Sequence, residues 1–173
     1  MILPFNSITP SIDPSVYIAE GVYIIGDVTI GKNSSVWFNS VIRGDVNYIR
    51  IGENTNIQDL SILHISVGRS PLIIGNDITI GHRCIIHGCE ISDNVLIGMG
   101  SVILDDVTIG SNTIIAAGSV VRERSVVPSG VLMAGVPAKV MRDISEEEIV
   151  NISKSAHGYV KNARIFISER KSS

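Results

Sequence analysis

Aliphatic residues recur at every sixth position over most of this chain. The longest unbroken register contains Ile91, Ile97, Ile103, Ile109, Ile115 and Val121. A period of six fits neither a helix nor simple strand alternation. It fits short, flat strands joined at tight corners, with one inward-pointing aliphatic residue per side of a triangular coil, and such coils stack about 4.8 Å apart. The sequence therefore predicts an all-β solenoid, a triangular parallel β-helix; a β-sandwich is the alternative, but sandwiches do not keep this period so long.

Glycine and small residues occupy fixed places in the repeat. Glycine often follows the inward-pointing aliphatic residue, as in Ile51-Gly52 and Ile97-Gly98, and we interpret it as a demand for backbone freedom at that position. Two positions before the aliphatic residue stand small or β-branched residues, namely Val95, Ser101, Val107, Thr113 and Ser119. Both features are expected of tightly stacked coils.

The repeat covers roughly residues 12–135, and a different pattern follows it. The open end of a solenoid exposes strand edges and needs a cap, and we assign this role to the segment from Val131 to Arg142. A helix is expected next, because Ser145 and Glu148 form a capping-box pair. Apolar residues then recur at helical spacing, at Ile149, Ile152, Ala156, Tyr159, Val160 and Ala163. The predicted organisation is a β-helix domain with its cap, residues 1–142, and a C-terminal helix, residues 143–173, packed on the β-helix or on a neighbouring subunit.

Composition argues against several classes of function. The net charge is −3 and no basic face is evident, so we expect no nucleic-acid partner. The sequence has no apolar run of about 18 residues and no signal-peptide pattern, so we expect no membrane partner and a cytoplasmic location. Cys84 and Cys89 have no further cysteine partners, and a disulfide framework is not expected.

The six-residue period is interrupted in three places, and reactive side chains gather beside the interruptions. The interruptions lie between Ile42 and Ile51, between Leu63 and Ile74, and between Ile86 and Ile91. If each is an excursion at a corner, Ile42, Leu63 and Ile86 occupy one side in three successive coils. The residues that follow them, Arg43, His64 and His87, then form a vertical ladder. By the same count, Gln58 and His82 lie together on a different side.

Three of the four histidines fall in this zone and suggest a metal site. His64 and His87 lie one coil apart and could reach a single ion, whereas His82 cannot easily join them within one chain. A neighbouring subunit in a ring with threefold symmetry could supply it. Three imidazoles with an open fourth position are typical of catalytic zinc, although iron and cobalt suit the same ligands. The alternative is that these histidines are polar residues on an exposed face.

The remaining polar residues suit the surroundings of such an ion. Arg43 could bind a carboxylate through two hydrogen bonds, and we expect an aspartate across the subunit interface as its partner. Asp45 lies at the same interruption. Gln58 can orient a water or an anion through its amide, and Asp59 could hold a ligand imidazole or pair with arginine. The alternative for each of them is an ordinary corner turn.

These residues, in order, resemble the gamma-class carbonic anhydrase family of hexapeptide-repeat proteins. The match consists of Arg43-Gly44-Asp45, Asn56-Ile57-Gln58-Asp59, His64, Gly81-His82 and His87-Gly88. The resemblance implies a left-handed β-helix and a homotrimer whose metal site lies between subunits. It also implies that His64 and His87 of one chain share the metal with His82 of the next, and that Gln58 and Asp59 assist the hydroxide and the bicarbonate.

The sequence departs from the family archetype in its proton-transfer residues. Two glutamates of the archetype are replaced here by Val46 and Val67, and the acidic loop that bears one of them is absent. The chain is therefore similar to the shorter members of the family, in some of which a tyrosine from the C-terminal helix enters the site. Tyr159 is the candidate for that role, and core packing is the alternative explanation for it.

Three functions remain open at this point. The first is a zinc-dependent carbonic anhydrase-like lyase (carbonate dehydratase) that acts on carbon dioxide and bicarbonate or on another small anion. The second is an acyltransferase, because many hexapeptide-repeat proteins transfer acyl groups from coenzyme A. The third is a noncatalytic metal-binding protein. We favour the first, because the acyltransferases use one histidine as a general base and lack a set of three.

Overall fold

The computed structural model describes residues 1–170 as a parallel β-solenoid followed by a long helix, α1 (Glu146–Arg170). The last three residues of the predicted C-terminal segment, 171–173, lie outside the described part. The strands are β1 (Ile2–Leu3), β2 (Ser11–Ile12), β3 (Tyr17–Ile18), β4 (Tyr23–Ile30), β5 (Ser35–Val36), β6 (Val41–Ile51), β7 (Asn56–Ile57), β8 (Ile62–His64), β9 (Leu72–Ile74), β10 (Thr79–Ile80), β11 (Ile85–His87), β12 (Glu90–Ile91), β13 (Val95–Ile97), β14 (Val102–Ile103), β15 (Thr108–Ile109), β16 (Thr113–Ile115), β17 (Val120–Val121), β18 (Val126–Val127), β19 (Val131–Gly135) and β20 (Ala138–Asp143).

Strand pairing divides the solenoid into three faces. The first face stacks β8, β11, β14 and β17; the second stacks β9, β12, β15 and β18; the third stacks β3, β5, β7, β10, β13, β16 and β19. The longer strands β4 and β6 pair along the first and second faces and join them into one sheet. This architecture confirms the predicted left-handed β-helix of hexapeptide repeats.

The core consists of the aliphatic residues that the six-residue period selects. Every member of the register from Ile91 to Val121 is buried, and so are the aliphatic residues on either side of the interruptions, Ile42, Ile51, Leu63, Ile74 and Ile86. The small and β-branched residues two positions earlier, such as Ser101 and Thr113, are buried as well. The repeat thus fills the interior of the prism with one aliphatic residue per side, and the prediction of the core is confirmed.

The glycines that follow the aliphatic residues serve a purpose different from the predicted one. Gly52 and Gly98 are not among the residues with a left-handed backbone, so freedom of φ does not explain them. A Cβ atom on Gly52 would lie 2.5 Å from the carbonyl oxygen of Gly75, and one on Gly98 would lie 2.4 Å from the amide nitrogen of Ala117. Contact with the backbone of the next coil, rather than φ, excludes a side chain there. The prediction of backbone freedom at these positions was wrong.

The C-terminal part closes the solenoid and then packs along its third face. Strands β19 and β20 form an antiparallel hairpin. Helix α1 begins with a capping box, in which the Ser145 amide donates to Glu148 Oε2 over 2.8 Å and the Glu148 amide donates to Ser145 Oγ over 3.2 Å. The helix packs against β3, β5, β7 and β10 through the buried side chains of Ile152, Ala156, Val160 and Ala163. The prediction of a capped amphipathic helix is confirmed.

Two further features bear on the sequence expectations. Cys84 and Cys89 are both buried as free thiols, and burial raises the pKa of each. Within residues 1–170 no helix combines the length and the apolar character needed to cross a membrane.

The two neighbouring valines of β18 test which side chains of the repeat point into the core and which point to solvent. Val127 is 2% exposed and Val126 is 79% exposed. We expect Val127→Ala to lower the free energy of unfolding by about 2 kcal/mol, since two buried methyl groups are lost and a cavity remains. The matched variant Val126→Ala should change it by less than about 0.5 kcal/mol. Urea denaturation followed by circular dichroism measures both, and equal losses would contradict the assignment.

Candidate metal centre

The predicted ladder of Arg43, His64 and His87 exists on the first face. His64 ends β8 and His87 ends β11, and the two residues are direct partners in the parallel ladder. Ile42, which precedes Arg43 in β6, is paired with Leu63. Because the aliphatic residue before each of them points into the core, the side chain that follows points outward. The register therefore brings the three polar side chains together, as the spacing predicts.

The two histidines lie at a separation that suits a shared metal ion. His64 Nδ1 and His87 Nε2 are 3.1 Å apart. Two nitrogen ligands of one tetrahedral zinc ion, each about 2.0–2.1 Å from it, are about 3.3 Å from each other. A small adjustment of either ring is therefore enough for both nitrogens to bind one ion. The chemistry and the spacing of this pair fit a zinc-type metal.

A carboxylate stands behind each ring of the pair. His64 Nε2 lies 3.0 Å from Asp45 Oδ1, and His87 Nδ1 lies 2.8 Å from Asp105 Oδ1. An ionised carboxylate only accepts hydrogen bonds, so the ring nitrogen that faces it carries the hydrogen. The nitrogens that face each other are then left with lone pairs. Such an arrangement favours a cation between the rings.

Charge around Asp45 is balanced on both sides of its carboxylate. Asp45 Oδ2 forms an ion pair with Arg43 of the same chain, while Oδ1 accepts from His64. Burial opposes the charge of Asp45, but the hydrogen bonds from His64 and Arg43 together lower its pKa. Burial also lowers the pKa of His64, and the Arg43 charge adds to this effect. Within its own chain Arg43 is paired with Asp45. An aspartate of a neighbouring subunit as a further partner of Arg43 stays a prediction.

His82 lies on the third face, as predicted, and has a carboxylate of its own. It follows β10, and its Nδ1 is 2.7 Å from Asp59 Oδ2. Within residues 1–170, no three histidine, cysteine or acidic side chains are grouped so that they could hold a metal ion. One chain thus carries a pair of imidazoles on one face and a single imidazole on another.

Gln58 shares the third face with His82 and is held in a fixed orientation. Its side chain is buried, with 5% of the residue exposed. Gln58 Nε2 donates to Asn56 Oδ1 over 3.1 Å, and Asn56 Nδ2 donates to Thr79 Oγ1 over 2.9 Å. Gln58 also lines a mostly apolar groove of about 430 Å³, together with Thr79 and Gly81. One N–H of its amide is engaged, so the amide oxygen and the second N–H are left for a ligand.

Tyr159 lies on the same side of the molecule as Asp59. Its ring packs edge-on against Trp37, with the ring centres 5.3 Å apart. Burial raises the pKa of Tyr159, and the negative charge of Asp59 adds to the increase. Tyr159 thus lies on the side of the molecule that carries His82 and Asp59. It is also part of the packing between α1 and the solenoid.

Sequence reasoning missed one residue that contacts the histidine pair. Asp105, which holds His87, was not among the predicted site residues. Asp105 lies 18 residues after His87, one residue more than the 17-residue offset that pairs Ile86 with Ile103. Val46 and Val67 are both exposed, and neither can accept a proton.

Comparison with known families identifies the repeat. The model described as "Bacterial transferase hexapeptide (six repeats)" matches residues 9–44 and 88–123, and "Hexapeptide repeat of succinyl-transferase" matches residues 71–104. Among solved structures, a hexapeptide transferase family protein from Anaplasma phagocytophilum superimposes with a TM-score of 0.89 at 44% identity, covering 94% of this chain and 96% of that one.

Similar curated proteins carry a more specific description. "Probable carbonic anhydrase" from Methanocaldococcus jannaschii is 55% identical over 150 residues, which cover 87% of this chain and 94% of that protein. "Gamma carbonic anhydrase 2, mitochondrial" from Arabidopsis thaliana is 43% identical over 170 residues, which cover 95% of this chain and 61% of that protein. The chain thus spans about three fifths of the length of the plant relative.

The His64–His87 pair predicts how the metal-free protein responds to acid. The lowered pKa of folded His64 means that the unfolded chain binds more protons as the pH falls below about 6.5. We therefore expect the contribution of neutral His64 to the free energy of unfolding to be complete above that pH and to be lost as the pH falls below it. His64→Gln should flatten this decrease, whereas His157→Gln removes a histidine outside the pair and should not. Urea denaturation of chelator-treated protein between about pH 8 and 5 measures the slopes; the same slope in wild type and His64→Gln would contradict the interpretation.

Proposed function

The chain belongs to the gamma carbonic anhydrase family, and we propose that it catalyses the reversible hydration of carbon dioxide to bicarbonate at a zinc-type site between the subunits of a homotrimer. The observation that carries this proposal is the His64–His87 pair. Its two facing nitrogens are 3.1 Å apart, and a carboxylate fixes the opposite nitrogen of each ring. Partly buried lone pairs that face each other at this distance are the expected preparation for a cation.

The third ligand in this proposal is His82 of a neighbouring chain. His82 is partly exposed in the turn that follows β10 of the third face, whereas the pair is on the first face, so the contact between chains would join two different surfaces. Such a heterologous contact closes into a ring when the rotation is threefold. Exposed apolar residues flank both surfaces: Ile62 and Ile85 precede the pair on β8 and β11, and Met99 lies beside His82. Apolar side chains of this size at the surface are typical of a protein interface.

The residues of the chain divide the chemical work between them. When bound, a zinc ion acts as a Lewis acid that makes water nucleophilic near neutral pH. Asp45 and Asp105 hold the ligand rings, and Asp59 holds His82. The bond to Asn56 orients the Gln58 amide, whose oxygen can accept a hydrogen bond from water or from the bicarbonate hydroxyl. The proton that leaves must pass to solvent or buffer, because valine occupies positions 46 and 67.

Acyl transfer is the second candidate, because the family models and the Anaplasma phagocytophilum structure carry transferase descriptions. The apolar groove beside Gln58 could receive the thioester arm of a cofactor. A carboxylate behind each of three histidines is not needed for a single general base, and we therefore rank acyl transfer second. The cytoplasmic location expected from the sequence also stays a prediction.

A combined assay of metal content and carbon dioxide hydration tests the proposed function. We expect the purified protein to hold close to one zinc, iron or cobalt ion per chain and to accelerate hydration in a stopped-flow assay. We expect turnover to rise with the concentration of a small imidazole buffer, because exogenous base replaces the missing proton acceptors. His64→Ala should abolish both the bound metal and the activity.

Two outcomes of this assay would change the conclusion. A protein that binds metal fully but does not hydrate carbon dioxide at any buffer concentration is a noncatalytic metal protein. A metal-free preparation that transfers acyl groups from coenzyme A would establish the second candidate instead.

Complementation between variants tests whether the metal site is shared. His82→Ala chains and His64→Ala chains should each bind no zinc alone. When they are co-expressed in equal amounts, about one interface in four contains an intact pair facing an intact His82, and zinc should return to that extent. Elemental analysis of the purified mixed trimers measures it.

The matched control pairs two variants of the same face. His64→Ala with His87→Ala leaves no chain with both imidazoles of the pair, so mixing them should restore nothing. Recovery of zinc in this control, or a monomer that retains one tight zinc per chain in sedimentation, would rule out the shared site.

A further inference from the structure

We propose that Asp105 is a positioning residue for His87 and that the loop of residues 66–70 braces its carboxylate. This inference rests on the proposed function, in which His87 is a metal ligand. The two carboxylate oxygens of Asp105 bind different partners. Asp105 Oδ1 accepts from His87 Nδ1 over 2.8 Å, and Asp105 Oδ2 accepts from Ser66 Oγ over 3.1 Å. The carboxylate of Asp105 thus connects the ring of His87 to a loop that lies about one coil before His87 in the chain.

The glycine after His87 makes room for this carboxylate. A Cβ atom on Gly88 would lie 2.3 Å from Asp105 Oδ1, and its φ of +39° also disfavours a side chain. The backbone there is bonded as well, since the Asp106 amide donates to the Gly88 carbonyl over 2.7 Å. The His87-Gly88 sequence is therefore explained by the approach of Asp105 from the next coil.

The neighbouring aspartate fastens the loop that carries Ser66. Asp106 Oδ2 accepts from Arg69 Nη1 over 2.6 Å, and its Oδ1 accepts from Ser70 Oγ over 2.8 Å. The Arg69 and Ser70 contacts hold the far end of the excursion, while Ser66 at its near end bonds to Asp105. Val67, in the same loop, is 78% exposed and makes no contribution to the pair. The loop of residues 66–70 thus fastens the carboxylate that faces His87.

The two carboxylates behind the pair differ in the charge that they offer. Asp45 forms a direct ion pair with the Arg43 guanidinium. Asp105 hydrogen-bonds to the Ser66 hydroxyl and the His87 ring, and the charge of Arg69, which is bonded to Asp106, acts on it only through space. Because a carboxylate outside a direct ion pair polarises an imidazole more strongly, we expect Asp105 to support its ring more strongly than Asp45 does.

Metal affinity and the tautomer of His87 together test the proposal. Zinc affinity, measured by competition with a chelator, should fall about 10- to 100-fold in Asp105→Ala. Asp105→Asn keeps the shape and both hydrogen bonds but removes the charge, so its loss should be smaller, and Ser66→Ala should lose less still. In metal-free protein at neutral to mildly basic pH, nitrogen-15 spectra of the histidines should show His87 with its hydrogen on Nδ1 in the wild type. That preference should be lost in Asp105→Ala.

Asp93 provides a matched control. Its carboxylate lies above Gly75 as that of Asp105 lies above Gly88, with a Cβ on Gly75 meeting Asp93 Oδ1 at 2.4 Å. Asp93 bonds to Asn76 and contacts no histidine. Asp93→Ala should leave zinc affinity and the His87 tautomer unchanged. An equal loss of affinity in both alanine variants, or a wild-type tautomer and affinity in Asp105→Ala, would overturn the proposal.

These measurements separate the two hypotheses. If the wild type binds zinc through Asp105-dependent His87 but does not hydrate carbon dioxide, the proposed function fails and the role of Asp105 stands. If Asp105→Ala keeps its affinity, its tautomer and its hydration activity, the function stands and the role of Asp105 fails. If no variant binds zinc, the tautomer of metal-free His87 alone decides.

Discussion

Hydrogen bonding between successive coils, at a spacing of about 4.8 Å, is the constraint on which this structure depends. It fixes which residue of one coil lies above which residue of the next, over the whole height of the prism. His64 and His87 meet because they are partners in this ladder, although 23 positions separate them. The same spacing excludes side chains where one backbone passes directly over another, as at Gly52 and Gly98. Core, corners and candidate site are all consequences of one stacking register.

The register also explains what could be predicted from the sequence. An aliphatic residue every six positions determines which side chains point inward, and the residue after each one must then point outward. That reasoning placed Arg43, His64 and His87 on one face and Gln58 and His82 on another. Asp105 was missed because it lies beyond the third interruption, where its position depends on the exact length of the coil. The purpose of the glycines was misjudged because a repeat seen along one chain does not reveal the contacts between neighbouring coils.

The polar residues follow a common rule that no linear motif displays. Each of the three histidines has one ring nitrogen on a carboxylate: His64 on Asp45, His87 on Asp105, and His82 on Asp59. The carboxylates come from positions before and after their histidines in the chain, so no fixed spacing encodes them. They fix each ring in one tautomer and one orientation before any ligand arrives. A single subunit thus presents a pair of imidazoles on the first face and a single imidazole beside the third, each held by a carboxylate.

The hairpin of β19 and β20 has a consequence for the behaviour of the solenoid in bulk. A parallel β-helix that ended on an open coil would offer a template on which a second molecule could continue the same pattern end to end. In this chain the last coil is paired with a strand of opposite polarity, whose residues are almost all exposed. An incoming parallel coil therefore finds the wrong sequence of donors and acceptors. By reversing direction once, the polypeptide blocks end-to-end continuation on the third face, while β17 and β18 remain the edge strands of the other two faces.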